Sequence, residues 1–157
     1  MKIRLLYQGK PKKNIFEKAE QIYVKRISNY VPFELVRLEP LKLSKSLSIL
    51  EVKSKEEVYY KNKLPGNSLT ILLDEKGKHL NSLSFSDFVN HNISHQSRDI
   101  TFVIGGAYGF SDGFKNSSNF MISLSELTYS HHLARVVFLE QLYRAFSIIN
   151  GEPYHNI

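Results

Sequence analysis

The sequence predicts an α/β fold, a mostly parallel sheet with helices on both faces. Apolar runs alternate with helical spacing along the chain, as is typical of parallel sheets with crossover helices. The run Thr101–Ile104 ends in three bulky apolar residues in a row, which indicates a strand buried on both faces. Gly105, Gly106 and Gly109 follow at once. Because ligands in such folds lie just past the carboxyl ends of strands, this turn is the first candidate for a small-molecule site.

The first half of the chain predicts three strands separated by two helices. The strands are expected at Lys2–Gln8, Phe33–Leu38 and Ser68–Asp74, and the helices at Lys12–Tyr30 and Ser44–Lys63. The first helix carries a clear apolar stripe: Ile15, Phe16, Ala19, Ile22, Tyr23, Ile27 and Tyr30. The second helix has only a few apolar residues to pack against the sheet. Pro32 indicates a break and Pro65-Gly66 a turn between these elements, and Gly77 indicates a loop after the third strand.

The second half predicts two more strands and three helices. A helix is expected from Ser84 to about His95, since Ser84 and Asp87 have the spacing of a helix start. Strand Asp99–Ile104, a short helix Ser111–Ser118, strand Phe120–Leu124 and a long helix His131–Ile149 follow. Ser130 is in place to cap the long helix. Strands and helices therefore alternate from end to end.

The long last helix is apolar around nearly its whole circumference. Such a helix must be buried on more than one side, and at the end of a small domain the second side is expected to be a partner subunit. Glu140 and Arg144 have the favourable spacing of four residues and are expected to pair with each other.

Composition limits the classes of function. The length of 157 residues is that of one domain, residues 1–157. With no cysteine, thiolate catalysis, disulfides and cysteine-ligated metals are excluded. The net charge of +6 favours a polyanionic partner such as nucleic acid. No apolar run approaches the roughly 20 residues of a membrane span, so a soluble cytoplasmic protein is expected.

Several nucleotide and metal motifs are missing. The glycine turn lacks the Gly-Lys-Ser/Thr of a phosphate-binding loop, and its G-G-x-x-G spacing differs from the dinucleotide fingerprint. An oxidoreductase is further disfavoured because only Lys10-Pro11-Lys12-Lys13 follows Gly9. His91 and His95 do not form a zinc motif, since Asn92 stands where a glutamate is needed. His131 and His132 open the last helix, and His155 lies in a tail that is either a docking segment or a source of polar groups for a site.

Four strings and the tail together resemble a known family. They are Phe102-Val-Ile-Gly-Gly-Ala-Tyr-Gly109, Leu124-Ser-Glu-Leu-Thr-Tyr-Ser-His131, Arg135-Val-Val, Glu140-Gln-Leu-Tyr-Arg-Ala-Phe146 and Pro153-Tyr154-His155. In order and spacing they are similar to the RlmH family of SPOUT-class methyltransferases, and the resemblance runs essentially end to end. The family usually has proline where this chain has Ser130, a change expected to alter the loop slightly without loss of activity.

The resemblance implies a fold, a methyl donor, an acceptor and an assembly. The C-terminal part would be threaded as a trefoil knot, which only a few folds contain. The donor would be S-adenosylmethionine, with no metal. The acceptor would be N3 of a pseudouridine in the 23S rRNA of the ribosome. The protein would act as a homodimer, formed through the C-terminal helix, with each site near the dimer interface.

The resemblance also assigns the donor site. The donor-binding residues would be Leu73, Gly105, Leu124, Ser125, Glu126, Leu127, Thr128 and Tyr129. These positions end the third, fourth and fifth predicted strands. Three adjacent carboxyl ends can form one pocket, and glycine permits close approach of a ligand to the backbone.

Proton removal from the acceptor imide requires a general base or a group that stabilises the anion. Histidine titrates in the right range, so His155 or His131 is expected near the acceptor, with Tyr154 stacking on the nucleobase or orienting it. Arg135 and Arg144 would hold phosphate or stabilise the anion, with an interface ion pair as the alternative for both.

Cations on the first helix form the second expected contact with the substrate, an RNA-facing surface. They are Lys12, Lys13, Lys18, Lys25 and Arg26, and a plain solvated face is the alternative. For the whole protein, the alternative function is a non-catalytic ribosome-binding factor with the same fold.

Overall fold

A computed structural model describes residues 1–11, 13–95 and 98–156, with the side chain of His95 excepted. The elements are β1 (Ile3–Gln8), α1 (Ile15–Ile27), β2 (Phe33–Leu38), α2 (Ile49–Lys61), β3 (Ser68–His79), α3 (Ser82–His95), β4 (Asp99–Ile104), α4 (Asp112–Ser117), β5 (Phe120–Ser123) and α5 (His131–Ile149). The five strands form one sheet in the order β2-β1-β4-β3-β5. Every pairing is parallel, which confirms the predicted fold class.

The sheet is covered by helices on both faces. On one face Ile3, Leu5 and Phe102 pack in a core with Phe138 and Leu142 of α5 and with residues of α1 and α3. On the other face a smaller core joins the strands to α2 and α4. It contains Leu6, Leu72, Val103, Tyr60, Phe110 and Phe114. Alternate residues of each strand thus serve opposite cores, because side chains alternate across a strand.

Element boundaries differ from the predictions where capping side chains decide them. α2 begins at Ile49, because Ser48 and Glu51 form a reciprocal capping box. The predicted start of α3 at Ser84 is wrong, since the Asn81 side chain accepts a hydrogen bond from the Ser84 N–H and the helix begins at Ser82. Gly77 lies within β3, which continues past a register shift to His79, and not in a loop.

The structure shows how far two helix faces are covered within one chain. The predicted stripe of α1 is not wholly buried, because Ile15 and Ile22 are 76% and 53% exposed. The apolar circumference of α5 is largely covered inside the chain, since α5 packs on α1, on α3 and on the sheet. The cap by Ser130 is confirmed, with its Oγ accepting from the Leu133 N–H at 3.4 Å. The expected pair of Glu140 with Arg144 is also confirmed.

Within the described part of the chain, no helix combines the length and apolar character needed to cross a bilayer.

Candidate functional site

A large cavity lies at the register shift of β3 after Leu73 and at the ends of β4 and β5. Its volume is about 440 Å³. Parallel strands present their carboxyl ends at one edge, so loops that are distant in sequence meet there. The wall comprises Lys53, Leu73 to Lys76, Ile104 to Phe110, Lys115, Leu124, Ser125, Leu127 to Tyr129, His131 and Ala134.

The residues expected to hold a small molecule are brought together here. Leu73, Gly105, Leu124, Ser125, Leu127, Thr128 and Tyr129 all line the cavity. Glu126 belongs to the same loop, but it is exposed and does not line the wall. The loop is held by its own hydroxyls. The Ser125 Oγ accepts from the Leu127 N–H at 2.9 Å, and the Ser123 Oγ donates to the Ser125 carbonyl at 3.0 Å.

The turn Gly105–Gly109 after β4 uses a backbone conformation that glycine adopts more readily than other residues. Gly109 has φ +74°, in the left-handed region, and its N–H donates to the Gly106 carbonyl at 3.0 Å. The Glu56 carboxylate occupies the space in which a side chain of residue 106 would lie. A Cβ on Gly106 would be 2.4 Å from Glu56 Oε1. The turn is therefore closely packed from behind by α2.

Three residues of α2 support this turn. The Tyr60 hydroxyl donates to the carbonyl of Ile104, the last residue of β4, at 2.9 Å. Glu57 accepts a hydrogen bond from the hydroxyl of Ser111, which caps α4. Glu56 Oε2 is buried without a hydrogen-bond partner among the described residues, and burial raises the pKa of the Glu56 carboxyl. Helix α2 thus fixes the position of one cavity wall.

Charged groups at the cavity were missed by the sequence reasoning. Asp74 pairs with Lys115 at 3.1 Å, and the Asp74 side chain is only 8% exposed. Lys53 reaches the same wall from α2. Asp74 could have been found, because it is the first polar residue after the apolar end of a strand that points to a ligand edge. Lys53 carries no comparable local signal.

His131 is the histidine that lines the large cavity. Protein atoms around its ring displace water and lower the pKa of His131, and the positive charges of Arg135 and His132 act in the same direction. The imidazole is therefore neutral at neutral pH and able to accept a proton.

Arg135 lies one turn further along α5 and does not line the large cavity. Its Nε donates to Glu20 Oε1 at 2.7 Å, and the two side chains are 7% and 3% exposed. Its guanidinium also lies 4.2 Å from the centre of the Tyr7 ring. Within one chain, Arg135 joins α5 to α1 and β1.

Tyr154 and His155 lie at the opposite end of α5 from His131. The His155 Nδ1 is 3.2 Å from Arg144 Nη1, and the Tyr154 hydroxyl donates to Glu140 Oε1 at 3.1 Å. Burial and the neighbouring Glu140 raise the pKa of Tyr154. Arg144 lies over the Tyr154 ring, so these side chains form one cluster, the tail cluster Glu140, Arg144, Tyr154 and His155. The structure of one chain does not bring this cluster to the large cavity.

No group of three or more His, Asp or Glu side chains is placed to hold a metal ion within residues 1–11, 13–95 and 98–156.

Comparison with solved structures finds two likenesses. One is to a SpoU methyltransferase, AviRb from Streptomyces viridochromogenes in complex with AdoMet. It is 13% identical with a TM-score of 0.42, over 90% of this chain and 56% of that one. The other is to a putative RNA methyltransferase from Bacillus anthracis, 15% identical with a TM-score of 0.48, over 100% and 99% of the two chains. Both scores are too low for either structure to bear on the site.

Sequence relatives are much closer. Ribosomal RNA large subunit methyltransferase H of Parabacteroides distasonis is 41% identical over 157 residues, covering 99% of each protein. The proteins of the same name from Bacteroides thetaiotaomicron and Geotalea uraniireducens are 39% and 38% identical, over 99% of this chain. The model of the family described as predicted SPOUT methyltransferase matches residues 1–155. The chain therefore belongs to the SPOUT methyltransferases and, among them, to the family of ribosomal RNA large subunit methyltransferase H.

Proposed function

We propose that this protein transfers a methyl group from S-adenosylmethionine to N3 of a pseudouridine in the 23S rRNA of the ribosome. The observation that carries the proposal is the large cavity at the ends of β4 and β5 and the register shift of β3, in a chain of this family. The proposal includes a single cytoplasmic domain and the C-terminal trefoil knot expected from the resemblance.

The residues of the large cavity fit the methyl donor. Its volume of about 440 Å³ lies in the range of small-molecule sites, roughly 300–1,000 Å³. Leu73, Leu124 and Leu127 supply apolar walls for a purine ring, and Thr128 and Ser125 supply hydroxyls. Glu75 supplies a carboxylate that suits a cationic group of the ligand, whereas Asp74 is already paired with Lys115. When bound, S-adenosylmethionine supplies an electrophilic methyl group.

The chain's own contribution to the reaction is to position the acceptor and take its proton. The imide N3 of the acceptor carries a proton near neutral pH, and that proton must leave before or during attack. His131 is neutral at neutral pH and lies at the large cavity, so it is placed to accept the proton. Holding the acceptor nitrogen in line contributes the rest of the rate, because methyl transfer is an in-line displacement.

A homodimer would bring the tail cluster of one chain to the large cavity of the other. Exposed apolar side chains support this assembly: Ile15 and Ile22 of α1 and Leu133 of α5. α1 and α5 pack together on one face of the sheet, so these side chains belong to one layer. His155 and Tyr154 would then act at the acceptor from the partner, with Arg144 held by Glu140.

The rRNA would meet exposed cations of α1. Lys13, Lys18, Lys25 and Arg26 are exposed, and the Arg26 guanidinium also lies 5.3 Å from the centre of the Tyr143 ring. Lys12 lies outside the described residues. Exposed lysines suit phosphate contacts that fix orientation without reading sequence.

Filling the large cavity is expected to abolish donor binding. Ala107 is exposed and lines the cavity, so Ala107→Trp places an indole in the donor's space. We expect calorimetric titration with S-adenosylmethionine to show an affinity loss of about tenfold or more, equivalent to at least ~1.4 kcal/mol. The matched control is Asn116→Trp, an exposed position on α4 that does not line the cavity. If the unchanged protein binds no donor, a non-catalytic ribosome-binding factor is favoured. Equal affinities for the two variants would place the donor elsewhere.

A further inference from the structure

A second, smaller cavity lies beside the first, between the β1–α1 segment, α1 and the first turn of α5. Its volume is about 150 Å³, and its wall includes Tyr7, Lys10, Gln21, Arg37, His132 and Arg135. Neither the family match nor the proposed donor site assigns it a role.

The two cavities are immediate neighbours at the same edge of the sheet. Tyr7 of β1 lines the second cavity and is paired in register with Ile104 of β4, which lines the first. Paired strands lie only about 4.8 Å apart. His131 and His132 are consecutive on α5, and they line the first and the second cavity respectively. A chain-like substrate that presents one unit to the first cavity therefore has its next unit within reach of the second.

The floor of the second cavity is rigid. Arg135 is held by Glu20 at 2.7 Å and by its approach to the Tyr7 ring, and its Nη2 lies 2.8 Å from the His132 Nδ1. His132 in turn stacks on the Phe16 ring, with centroids 5.5 Å apart. A preformed floor binds a ligand without first having to be ordered.

The rim of the second cavity carries two cations and an amide together with the exposed carboxylate of Glu17. Arg37 is oriented toward it by hydrogen bonds from its Nη1 to the Gly9 carbonyl at 3.0 Å and to Glu39 Oε1 at 2.6 Å. Lys10 is an exposed second cation on the same wall, and Gln21 adds an exposed amide. Cations suit a phosphate, while an amide can donate to and accept from the edge of a base.

The volume of the second cavity suits a ligand with a single ring. A protein cavity of about 150 Å³ accommodates a single six-membered ring such as benzene. A pyrimidine base is one such ring, whereas a purine is larger.

We propose that the second cavity binds the pyrimidine base of a nucleotide adjacent to the methylated one, with Lys10 and Arg37 on the phosphate and Gln21 at the base edge. This proposal rests on the proposed function, because it takes rRNA as the substrate. It adds a part of the protein that recognises the strand beside the target, a specificity element outside the donor site.

Filling the second cavity tests the proposal. In Gln21→Trp the indole occupies the space of the base, so we expect KM for 70S ribosomes to rise about tenfold, the equivalent of losing one stacked or hydrogen-bonded base. The kcat and the calorimetric affinity for S-adenosylmethionine should not change. The matched control is Asn116→Trp, which is exposed on α4 and lines neither cavity.

A second pair of variants removes charge instead of adding bulk. Lys10→Ala is expected to raise KM for ribosomes several-fold, and Lys55→Ala, an exposed lysine of α2 off both cavities, much less. This pair decides the matter if Gln21→Trp does not fold. Equal KM values within each pair would overturn the proposal.

Two other outcomes are distinguished by separate measurements. If light scattering shows that Gln21→Trp is monomeric while the unchanged protein is a dimer, the cavity receives a second copy of this chain, and the proposal is wrong. If the unchanged protein transfers no methyl group, the proposed function fails. Binding of protein-free 23S rRNA, measured by filter retention without donor, then still decides whether Gln21→Trp weakens the RNA contact relative to Asn116→Trp.

Discussion

Replacing Arg135 with alanine is expected to destabilise the protein by about 3–5 kcal/mol, the usual cost of removing one partner from a buried ion pair. The Glu20 carboxylate is only 3% exposed and would be left without its guanidinium partner. The packing of Arg135 on the Tyr7 ring would be lost as well. Urea denaturation followed by circular dichroism measures the free energy of unfolding.

Two controls separate the buried charge from a general effect of substitution. Lys2→Ala breaks an exposed pair with Glu34 and should cost about 1 kcal/mol or less. The double variant Glu20→Leu with Arg135→Met removes both charges and should regain most of the loss. If Arg135→Ala costs no more than Lys2→Ala, Arg135 does not hold α1 to α5, and a role at the substrate becomes the better explanation.

Replacing His131 with asparagine is expected to lower kcat for ribosome methylation by about 10²–10⁴-fold, as for loss of a general base. Asparagine retains a polar side chain of similar size but cannot take a proton at neutral pH. Steady-state rates at saturating donor and ribosomes give kcat, and calorimetry shows whether the donor still binds. A kcat within a factor of two of the unchanged protein would exclude His131 as the base and leave His155.

The pH profile of the unchanged protein gives the same test independently. A base must be deprotonated to act, so the rate falls as the pH drops through the pKa of the base. The pKa of His131 is lowered from 6.5, so the acid limb should lie below pH 6.5 and should be absent from any residual activity of His131→Asn. An acid limb that persists unchanged in the variant would contradict the assignment.

The position of the large cavity was predictable because its signals are local. Apolar runs ending in glycine or polar residues mark the ligand edge of a parallel sheet: Gly105 and Leu124 follow β4 and β5, and Leu73 precedes the register shift of β3. The support behind the pocket was not predictable. Glu56 and Lys53 reach it from α2, whose spacing predicts a helix but does not say which residues face the site.

Contacts between residues far apart in the sequence explain why the role of Arg135 was not predicted. Arg135 and Glu20 are 115 positions apart, and no periodicity relates them, so the role of Arg135 in joining helices emerged only from the structure. The exposure of Ile15 and Ile22 was missed for the opposite reason. A helical stripe shows which residues share a face, but not how wide the partner surface is.

The most direct test of the proposed activity is methyl transfer to the ribosome. The protein is incubated with labelled S-adenosylmethionine and either 70S ribosomes or isolated large subunits, and the modified base is mapped by mass spectrometry of 23S rRNA fragments. We expect the label in one pseudouridine, methylated at N3. The Ala107→Trp variant should transfer no label, and the Asn116→Trp variant should still transfer it. Label in another base, or no label from a protein that binds the donor, would contradict the proposed activity.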